Sequence, residues 1–573
     1  MRTGPAWRAE RRAWLRGGAV AGLGALAPAL GGCARRPFWV PPPVAVDAPG
    51  REIGHALRER WKAAAPSYSD WRSAPERRVD VAIVGSGIAG LGCAWALHRA
   101  GVRDAWVLAG PDPLGNAAGA SLAGTGCPTG AHYLPLPSLE STHVRALLAD
   151  AGVLREGESD EAPLYDERAL VHAPSHRLWV DGRWQPGPLP DLDGDARTQA
   201  EAFLAEVERL GELRGPDGRR AFVVPVVESS RDAATRALDA TPAAAWLDAR
   251  GWTAAPLRAW LDYVTRDEFG ATPDEISAWA LAHYFAARRG RARNAEPGAV
   301  LTWADGLAPL ARHLMAPAAA AGRVLPMSVE RIERTADGLR CWAWSHGGAD
   351  DGASGAGDGP LGTPVVIRAR RVVVATPLAI AARLVPELAG AGVEAARRAP
   401  WTVANVVFRH APEEPHTGGE DELAWDNVVH GSPALGFVHA RHQEIGLDRT
   451  GPTVMTAYRA FTPADRDARA ELARLTAPDA PADRRAWLEL VGLDLERTYG
   501  ARVWRDVLRV RVTVRGHGMA APVPGFLDDR RLAALRSADG ALRFAHSDLS
   551  GYSVFEEALW WGVRAAESIA GGR

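Results

Sequence analysis

The clearest hydrophobic pattern in the chain is the mostly apolar run at residues 79–84, which leads directly into the sequence GSGIAG at residues 85–90. A short apolar run that ends at glycine is typical of a buried strand, and the apolar stretch that follows it predicts a helix. In such a unit the first glycine permits a tight turn, the second lets the backbone approach a pyrophosphate, and the third lets helix pack on strand. The helix N-terminus then favours negative charge. The residues that this pattern assigns to a dinucleotide are Gly85, Ser86, Gly87, Ala89 and Gly90.

Further apolar runs predict strands at residues 104–108, 324–332 and 371–378, whereas helical spacing dominates residues 140–300. The tryptophans and tyrosines of that helical region recur at helical spacing, which is typical of core residues. With 573 residues, the chain is longer than one ordinary core can serve, so two or three interwoven domains are expected.

Residues 1–33 have the pattern of an export signal. Residues 11–16 resemble a twin-arginine motif, and the apolar run at residues 17–30 is shorter than the about 20 residues that span a bilayer. The run ends in a sequence that resembles a lipobox, in which Cys33 would be acylated. An uncleaved arginine-rich leader with an incidental cysteine is the alternative.

Residues 34–77 begin with a proline-rich stretch and are predicted to be an extended tether, with the folded part starting near Arg78. The formal net charge of −2 gives no electrostatic reason to expect a nucleic-acid partner. The four cysteines have no metal-ligand spacing, so no metal site is predicted. Lys62 is the only lysine.

Separated segments of the chain resemble the superfamily of FAD-dependent amine oxidases, protoporphyrinogen oxidases and phytoene desaturases. They are the glycine motif, the loop at residues 130–135, the segments at 301–307 and 372–378, and the closing segment at 542–569. The resemblance implies an α/β fold, with a Rossmann-type FAD-binding domain built from discontinuous segments and an inserted α+β substrate domain. The implied FAD-binding segments are residues 78–145, 301–380 and 521–573, and the substrate-domain segments are residues 146–300, which are predicted to be helical, and 381–520.

The resemblance also implies which residues hold FAD. Gly130 and Ala131 would pass beside the isoalloxazine, and Val329 would offer backbone contacts to adenine. Asp548 would lie near the ribityl–pyrophosphate region. Ser553 and Val554 would start the last helix at the pyrimidine edge of the flavin. The closing segment has no cysteine for covalent attachment, so non-covalent FAD is expected.

Two departures from the family pattern concern the cofactor and the chemistry. The strand tip at Ala109 lacks the acidic residue that usually binds the ribose hydroxyls, and the nearest carboxylate is Asp112. Either Asp112 reaches back, or water and backbone take that role. The lysine that holds a water at the flavin in many amine oxidases is absent, because no lysine follows Lys62.

Histidine is the most suitable proton acceptor for such an oxidation, because its pKa lies near neutrality. His132, His517 and His546 are the candidate catalytic residues, with His442 as a weaker one, and a structural histidine bonded to backbone is the alternative for each. Tyr133 and Tyr552 are candidates for stacking on flavin or substrate, although packing explains them equally well.

The function that follows is an exported FAD-dependent oxidoreductase that removes hydride from a C–N or C–H centre of a small-molecule substrate. It would be lipid-anchored through Cys33 in the periplasm or cell envelope, with oxygen or a membrane carrier as electron acceptor. Two other functions fit the sequence: a desaturase or dehydrogenase acting on an apolar substrate, and a non-catalytic binding module with a flavoprotein fold.

Overall fold

The computed structural model describes residues 40–62, 71, 73–346, 360–393, 397–415, 424–443, 451–537 and 540–571. The predicted export signal with Cys33, and most of the Gly-rich stretch near residue 350, lie outside these residues. Within the described part of the chain, no helix has both the length and the apolar character that crossing a bilayer requires.

The described part of the chain contains both strands and helices, in runs of one kind as well as in alternation. The strands are β1 (Val44–Asp47), β2 (Glu76–Val84), β3 (Ala105–Leu108), β4 (Gly119–Leu122), β5 (Thr125–Pro128), β6 (Tyr133–Pro135), β7 (Leu154–Glu156), β8 (Leu164–Tyr165), β9 (His176–Val180), β10 (Arg183–Pro186), β11 (Val300–Thr302), β12 (Val324–Leu325), β13 (Met327–Thr335), β14 (Gly338–Ser345), β15 (Thr363–Val374), β16 (Arg398–Phe408), β17 (Asp426–Val429), β18 (Phe437–His439), β19 (Thr453–Ala460), β20 (Val507–Ala520) and β21 (Leu542–Phe544). The helices are α1 (Arg51–Lys62), α2 (Ile88–Arg99), α3 (Thr142–Asp150), α4 (Gly194–Glu212), α5 (Ala233–Arg236), α6 (Ala243–Ala249), α7 (Ala255–Phe269), α8 (Ala278–Ala286), α9 (Ala308–Ala320), α10 (Leu378–Leu384), α11 (Arg466–Leu475), α12 (Arg484–Val491), α13 (Leu493–Tyr499), α14 (Arg530–Arg536) and α15 (Phe555–Ala570).

One sheet has the strand order β12-β3-β2-β15-β14-β13, and β21 also pairs with β15. Strands β12, β3, β2, β15 and β21 run parallel, and β14 pairs antiparallel with both β15 and β13. Because these strands come from the beginning, the middle and the end of the chain, the predicted discontinuous Rossmann-type domain is confirmed. The strand of the glycine motif, β2, lies inside the sheet, and its residues after Val79 are buried as the apolar pattern predicts.

The last helix, α15, lies directly against α2, the helix of the glycine motif. A Cβ atom on Gly562 would lie 2.2 Å from the carbonyl oxygen of Ala89, and one on Gly92 would lie 2.7 Å from a methyl carbon of Leu559. Glycine on both helices therefore allows their backbones to meet. This contact joins the first and last segments of the dinucleotide-binding domain.

A second sheet has the order β1-β20-β16-β19-β18-β17-β9-β10 and is mostly antiparallel. Helices α4 to α8 form a separate apolar cluster that contains buried tryptophans such as Trp246 and Trp279. The segment predicted to be helical, residues 146–300, also supplies β7 to β10. These strands are two to five residues long, which gives too little alternation to be seen against the helical spacing around them.

The tether prediction for residues 34–77 is wrong for residues 44–62. Strand β1 pairs in parallel with β20, from Val44 beside Val510 to Asp47 beside Thr513, and α1 packs on the dinucleotide-binding domain. Folded structure therefore begins well before Arg78. In α1 the apolar residues Ile53, Leu57 and Trp61 recur every four residues, a helical pattern that the proline-rich start of the segment led us to overlook. Strand β1 has only four residues, which gives too little alternation to predict.

Candidate functional site

A single cavity of about 1240 Å³ connects the glycine motif with the interior of the helical region. Its wall is formed by the β2–α2 turn, the loop after β3, β13, the loop before β6, helices α7 and α8, and the start of α15. The predicted site residues that line it are Gly85, Ser86, Gly87, Ala89, Asp112, Gly130, Ala131, His132, Val329, His517, His546, Ser553 and Val554. Gly90, His442 and Asp548 are not in the wall of the cavity.

The three glycines of the motif have different surroundings. Gly85 has a φ of +109°, and a Cβ there would lie 2.6 Å from the carbonyl oxygen of Ala375, so this position requires glycine. A Cβ on Gly90 would lie 2.0 Å from the carbonyl oxygen of Gly85, whereas one on Gly87 would have no heavy atom within 4 Å. Gly87 therefore leaves open space in front of the α2 N-terminus, and Gly90 serves packing.

The loop after β3 lacks a carboxylate that is free to bind a ribose. The Ser86 hydroxyl donates a hydrogen bond to the carbonyl oxygen of Ala109 at 2.7 Å, which ties the strand tip to the glycine turn. Asp112 lines the cavity, but its Oδ2 pairs with Nη1 of Arg515 at 2.9 Å. The sequence left open whether Asp112, or water and backbone, would bind the ribose, and the pairing with Arg515 disfavours Asp112.

The loop that contains Gly130 is held by hydrogen bonds on both sides. The amide of Ala131 donates to the carbonyl oxygen of Asn116 at 2.7 Å, and the Tyr458 hydroxyl donates to the carbonyl oxygen of Gly130 at 3.1 Å. A Cβ on Gly130 would lie 2.1 Å from the Asn116 oxygen. Glycine at this position thus allows the loop to pass close to Asn116, in the loop after β3.

His132 belongs to an aromatic cluster on the cavity wall. Its ring centre lies 4.5 Å from that of Tyr458, 5.0 Å from that of Tyr133 and 5.4 Å from that of Trp425. Burial lowers the pKa of His132 to about 3, so its imidazole is neutral at neutral pH. His132 is in the cavity as predicted, but its pKa is not the near-neutral value for which histidine was proposed as the proton acceptor.

Carboxyl groups on α7 face the same end of the cavity, and sequence reasoning missed them. Glu268 pairs with Nη2 of Arg288 at 2.5 Å, and the guanidinium carbon of Arg288 lies 4.0 Å from the ring centre of Tyr284. Asp267 also lines the cavity, and among the described residues it has neither a hydrogen-bond nor an ion-pair partner. The available sequence signal was weak: a pair of adjacent carboxylates in a helix that also carries Arg258, Asp262 and Arg266.

Burial, reinforced by the neighbouring Glu268, raises the pKa of Asp267 to about 7. Burial, together with the charge of Asp267, raises the pKa of Asp426 to about 8. Asp267 influences the pKa of both Tyr133 and Tyr458, whereas Asp426, which is not in the cavity wall, influences that of Tyr458. This end of the cavity thus combines aromatic rings with the carboxyl group of Asp267, which can take up or release a proton near neutral pH.

The histidine at the start of the closing segment is held by a buried carboxylate. Nδ1 of His546 lies 3.2 Å from Oδ1 of Asp548, and Oδ2 of Asp548 accepts from the Leu378 amide at 3.0 Å and from Arg398. Burial alone would raise the pKa of Asp548, but His546 and Arg398 hold it well below its usual range. The predicted cofactor contact of Asp548 is therefore corrected: Asp548 positions His546 and Arg398, which do line the cavity.

The other two histidines differ in exposure. His517 is an exposed residue at the cavity wall, and burial together with Arg398 lowers its pKa. His442 is outside the cavity, and its Nε2 lies 2.9 Å from the carbonyl oxygen of His172. For His442 the structural alternative fits better than a catalytic role.

The first residues of α15 also line the cavity. Val554 is the N-cap of this helix, and the Ser553 hydroxyl accepts a hydrogen bond from the Ala520 amide at 3.0 Å. The free amide groups of the first turn favour negative charge at this point. Burial raises the pKa of Glu556, which also lines the cavity, to about 7. Both helix N-termini, those of α2 and α15, therefore lie at the wall of one cavity.

The comparisons with known proteins agree with this fold. Residues 83–151 match the family model of an NAD(P)-binding Rossmann-like domain. A redesigned putrescine oxidase is similar in structure with a TM-score of 0.59 at 16% identity, over 87% of this chain and 100% of that one. Cyclohexylamine oxidase from Brevibacterium oxydans IH-35A gives 0.58 at 20% identity, over 86% and 99% of the two chains.

A third similar structure is the putative protoporphyrinogen oxidase from Exiguobacterium sp. 255-15, with a TM-score of 0.54 at 16% identity, over 87% of this chain and 99% of that one. No curated protein matches the chain in sequence. At these identities the similarity establishes the fold, and the names of these proteins differ in the substrates they suggest.

Proposed function

We propose that the protein is an oxidoreductase that binds FAD non-covalently and oxidises an amine at its C–N centre. The observation that carries this proposal is the single cavity, which joins a dinucleotide phosphate site to a chamber with aromatic walls and an unpaired carboxyl group. The similarity in fold to putrescine oxidase and cyclohexylamine oxidase supports it.

The residues of the cavity fit a flavin dinucleotide. Gly87 and the α2 N-terminus would hold the pyrophosphate, because the space in front of Gly87 is open and the helix end favours anions. Gly130 and the α15 N-terminus would flank the isoalloxazine. When bound, FAD supplies a two-electron acceptor. The three described cysteines lie outside the cavity wall, which is consistent with non-covalent binding.

The carboxyl group of Asp267 favours an amine over an apolar substrate. An amine arrives as an ammonium ion at neutral pH and must lose a proton before its C–H bond can give up a hydride. Asp267 has a pKa raised to about 7, so its carboxylate oxygen can accept that proton and release it again to solvent. The rings of Tyr133 and Tyr458 would bind the carbon skeleton and attract the cation before it is deprotonated.

The decisive test begins with the visible spectrum of the purified protein, followed by denaturation to release the flavin. Anaerobic bleaching would then be measured with primary amines and with neutral compounds of the same carbon skeleton. We expect bleaching by amines only, and a 10²- to 10⁴-fold slower rate in Asp267→Asn with loss of the ionisation near pH 7.

The matched control is Asp274→Asn, which changes an exposed carboxylate just beyond α7 and should leave the rate unchanged. Absence of flavin would favour the non-catalytic binding module. Bleaching by apolar compounds alone would favour the desaturase or dehydrogenase. Either result refutes amine oxidation.

Export and anchoring form a further part of the proposal, supported by the sequence of residues 1–33. We infer a twin-arginine signal, which would suit a protein that loads its cofactor before export, and a lipid-anchored location in the periplasm or cell envelope. A Cys33→Ala variant should move from the membrane fraction to the soluble fraction, and unchanged membrane attachment would contradict the lipid anchor. Hydrogen peroxide release during turnover would identify oxygen as the electron acceptor, and its absence would point to a membrane carrier.

A further inference from the structure

Helix α1 lies across the adenosine end of the cavity, although it precedes the dinucleotide-binding domain in the sequence. At its start, a Cβ on Gly50 would lie 3.1 Å from Cγ of Pro111 in the loop after β3. At its end, Nε1 of Trp61 donates to the carbonyl oxygen of Glu330 on β13 at 3.0 Å. The helix therefore bridges the strand tip and the strand that contains Val329.

The attachment of α1 is a specific one. Nε of Arg60 pairs with Oε2 of Glu330 at 2.7 Å, and Nε1 of Trp344 donates to the same oxygen at 2.7 Å. The Glu330 side chain is only 4% exposed. The β13–β14 pairing shifts register between Val329 and Arg331, so Glu330 is the bulged residue. A buried charge pair at a bulge fixes the position and rotation of the helix.

The face of α1 opposite this attachment is basic and forms part of the cavity wall. We call it the basic stripe. Its members recur every three or four residues, so they share one side of the helix. They are Arg51, His55, Arg58 and Lys62, with Gly54 between them, and all five line the cavity.

The charge of the basic stripe is only partly neutralised. Glu59 pairs with Lys62 at 2.8 Å and with Arg58 at 3.6 Å. The Arg51 side chain has no hydrogen-bond or ion-pair partner among the described residues. Burial, then the charges of Arg58 and Arg51, lower the pKa of His55, whereas Glu59 raises it. The stripe therefore presents an excess of positive charge to the cavity.

The loop after β3, which contacts the start of α1, lacks the acceptor that a ribose normally meets. Ala109 is at the strand tip, and the carboxylate of Asp112 is paired with Arg515. Gly54 has no heavy atom within 4 Å of its Cβ position, which leaves room for a flat group against the helix backbone. Positive charge and open space thus occur where the usual carboxylate is missing.

We infer that α1 is a nucleotide-binding element, in which Arg51 and Arg58 bind the phosphates of the ADP half of the dinucleotide and Gly54 makes room for its adenosine. This inference rests on the proposed FAD binding. In this arrangement the adenosine end of FAD is bound by a segment outside the dinucleotide-binding domain. Contacts to phosphate, which weaken as salt concentration rises, take the place of the usual contact between the ribose and a carboxylate.

The test measures FAD affinity of the apoprotein by quenching of flavin fluorescence at low and high salt. The double variant Arg51→Gln, Arg58→Gln should bind FAD at least about tenfold more weakly at low salt, because charged hydrogen bonds to phosphate are lost. It should also lose most of the salt dependence of the wild type, since salt screens exposed charge pairs. Gly54→Leu should weaken FAD binding by filling the open space, with no change in net charge.

The control Arg484→Gln, Arg485→Gln removes the same charge from exposed positions on α12, outside the cavity. Wild-type FAD affinity in both the stripe double variant and Gly54→Leu would overturn the inference while leaving the proposed function intact. An equal loss of affinity in the α12 control would also overturn it. Failure of the wild type to bind FAD at all would instead refute the proposed function.

Discussion

Gly90→Ala should destabilise the fold, whereas Gly87→Ala should weaken cofactor binding and destabilise the fold less. A Cβ on Gly90 would lie 2.0 Å from the Gly85 carbonyl oxygen and 3.3 Å from Cβ of Ala375. The backbone would have to move by about 1 Å or more to reach an ordinary contact. Forced contacts of this kind in a packed interior typically cost about 1–3 kcal/mol, and a backbone obstacle places Gly90 at the upper end.

Helix propensity makes an opposing contribution to the stability change of Gly90→Ala. Alanine is about 1 kcal/mol more favourable than glycine inside a helix, and Gly90 lies in the first turn of α2, where the gain is smaller. The net expectation for Gly90→Ala is therefore a loss of about 2 kcal/mol. At Gly87, the N-cap of α2, an added methyl group meets no heavy atom, but alanine is a poorer cap than glycine by about 0.5–1 kcal/mol.

The assay is chemical denaturation of the apoproteins, so that loss of cofactor does not enter the measured stability, combined with FAD titration of each variant. Gly87→Ala should lower the denaturation midpoint less than Gly90→Ala does, and it should bind FAD at least about tenfold more weakly, because the methyl group occupies the space before the helix N-terminus. A Gly90→Ala protein as stable as the wild type would refute the packing argument. A Gly87→Ala protein with unchanged FAD affinity would refute the assignment of the phosphate site.

Three further predictions follow from buried groups. Burial raises the pKa of Asp426 to about 8, so the folded state keeps a proton that the unfolded chain loses near pH 4. The free energy of unfolding should therefore fall between about pH 4 and 8, by at most about 1.4 kcal/mol per pH unit. Denaturation midpoints measured against pH should show a flatter profile in Asp426→Asn. Arg60→Gln leaves Glu330 without its cation and should cost about 2 kcal/mol in a denaturant titration, whereas Arg58→Gln on the same helix should cost under about 0.5 kcal/mol. His442→Asn should leave steady-state turnover unchanged, and a rate loss above about tenfold would contradict its placement outside the cavity.

The sequence predicted several site residues through local motifs. Gly85 and Gly87 could be assigned because a strand, a glycine turn and a helix form one short unit whose geometry depends on neighbouring residues. His132 was placed in the cavity by the loop that contains Gly130, but its pKa could not be predicted, because burial depends on Tyr133, Trp425 and Tyr458 packing around it.

Sequence reasoning failed where a site is made by distant segments. Asp267 and Asp426 are 159 positions apart in the chain (426 − 267), and neither has a local pattern that indicates that the two carboxyl groups influence each other. Asp548 matched a family position, yet the structure places it behind His546 and Arg398 and outside the cavity wall. A side chain's direction relative to a cavity depends on which other elements enclose that cavity.

The sequence by itself determined the strand–glycine–helix unit, because hydrophobic period and glycine spacing are properties of adjacent residues. Its resemblance to a known superfamily implied the α/β class. Only the tertiary structure decided that α1 lines the cavity beside the loop after β3 and that α7 brings Asp267 into the wall of the same cavity. The physical reason is that electrostatics and desolvation act through space. The free energy of a charge depends on what surrounds it after folding, and residues far apart in the chain provide those surroundings.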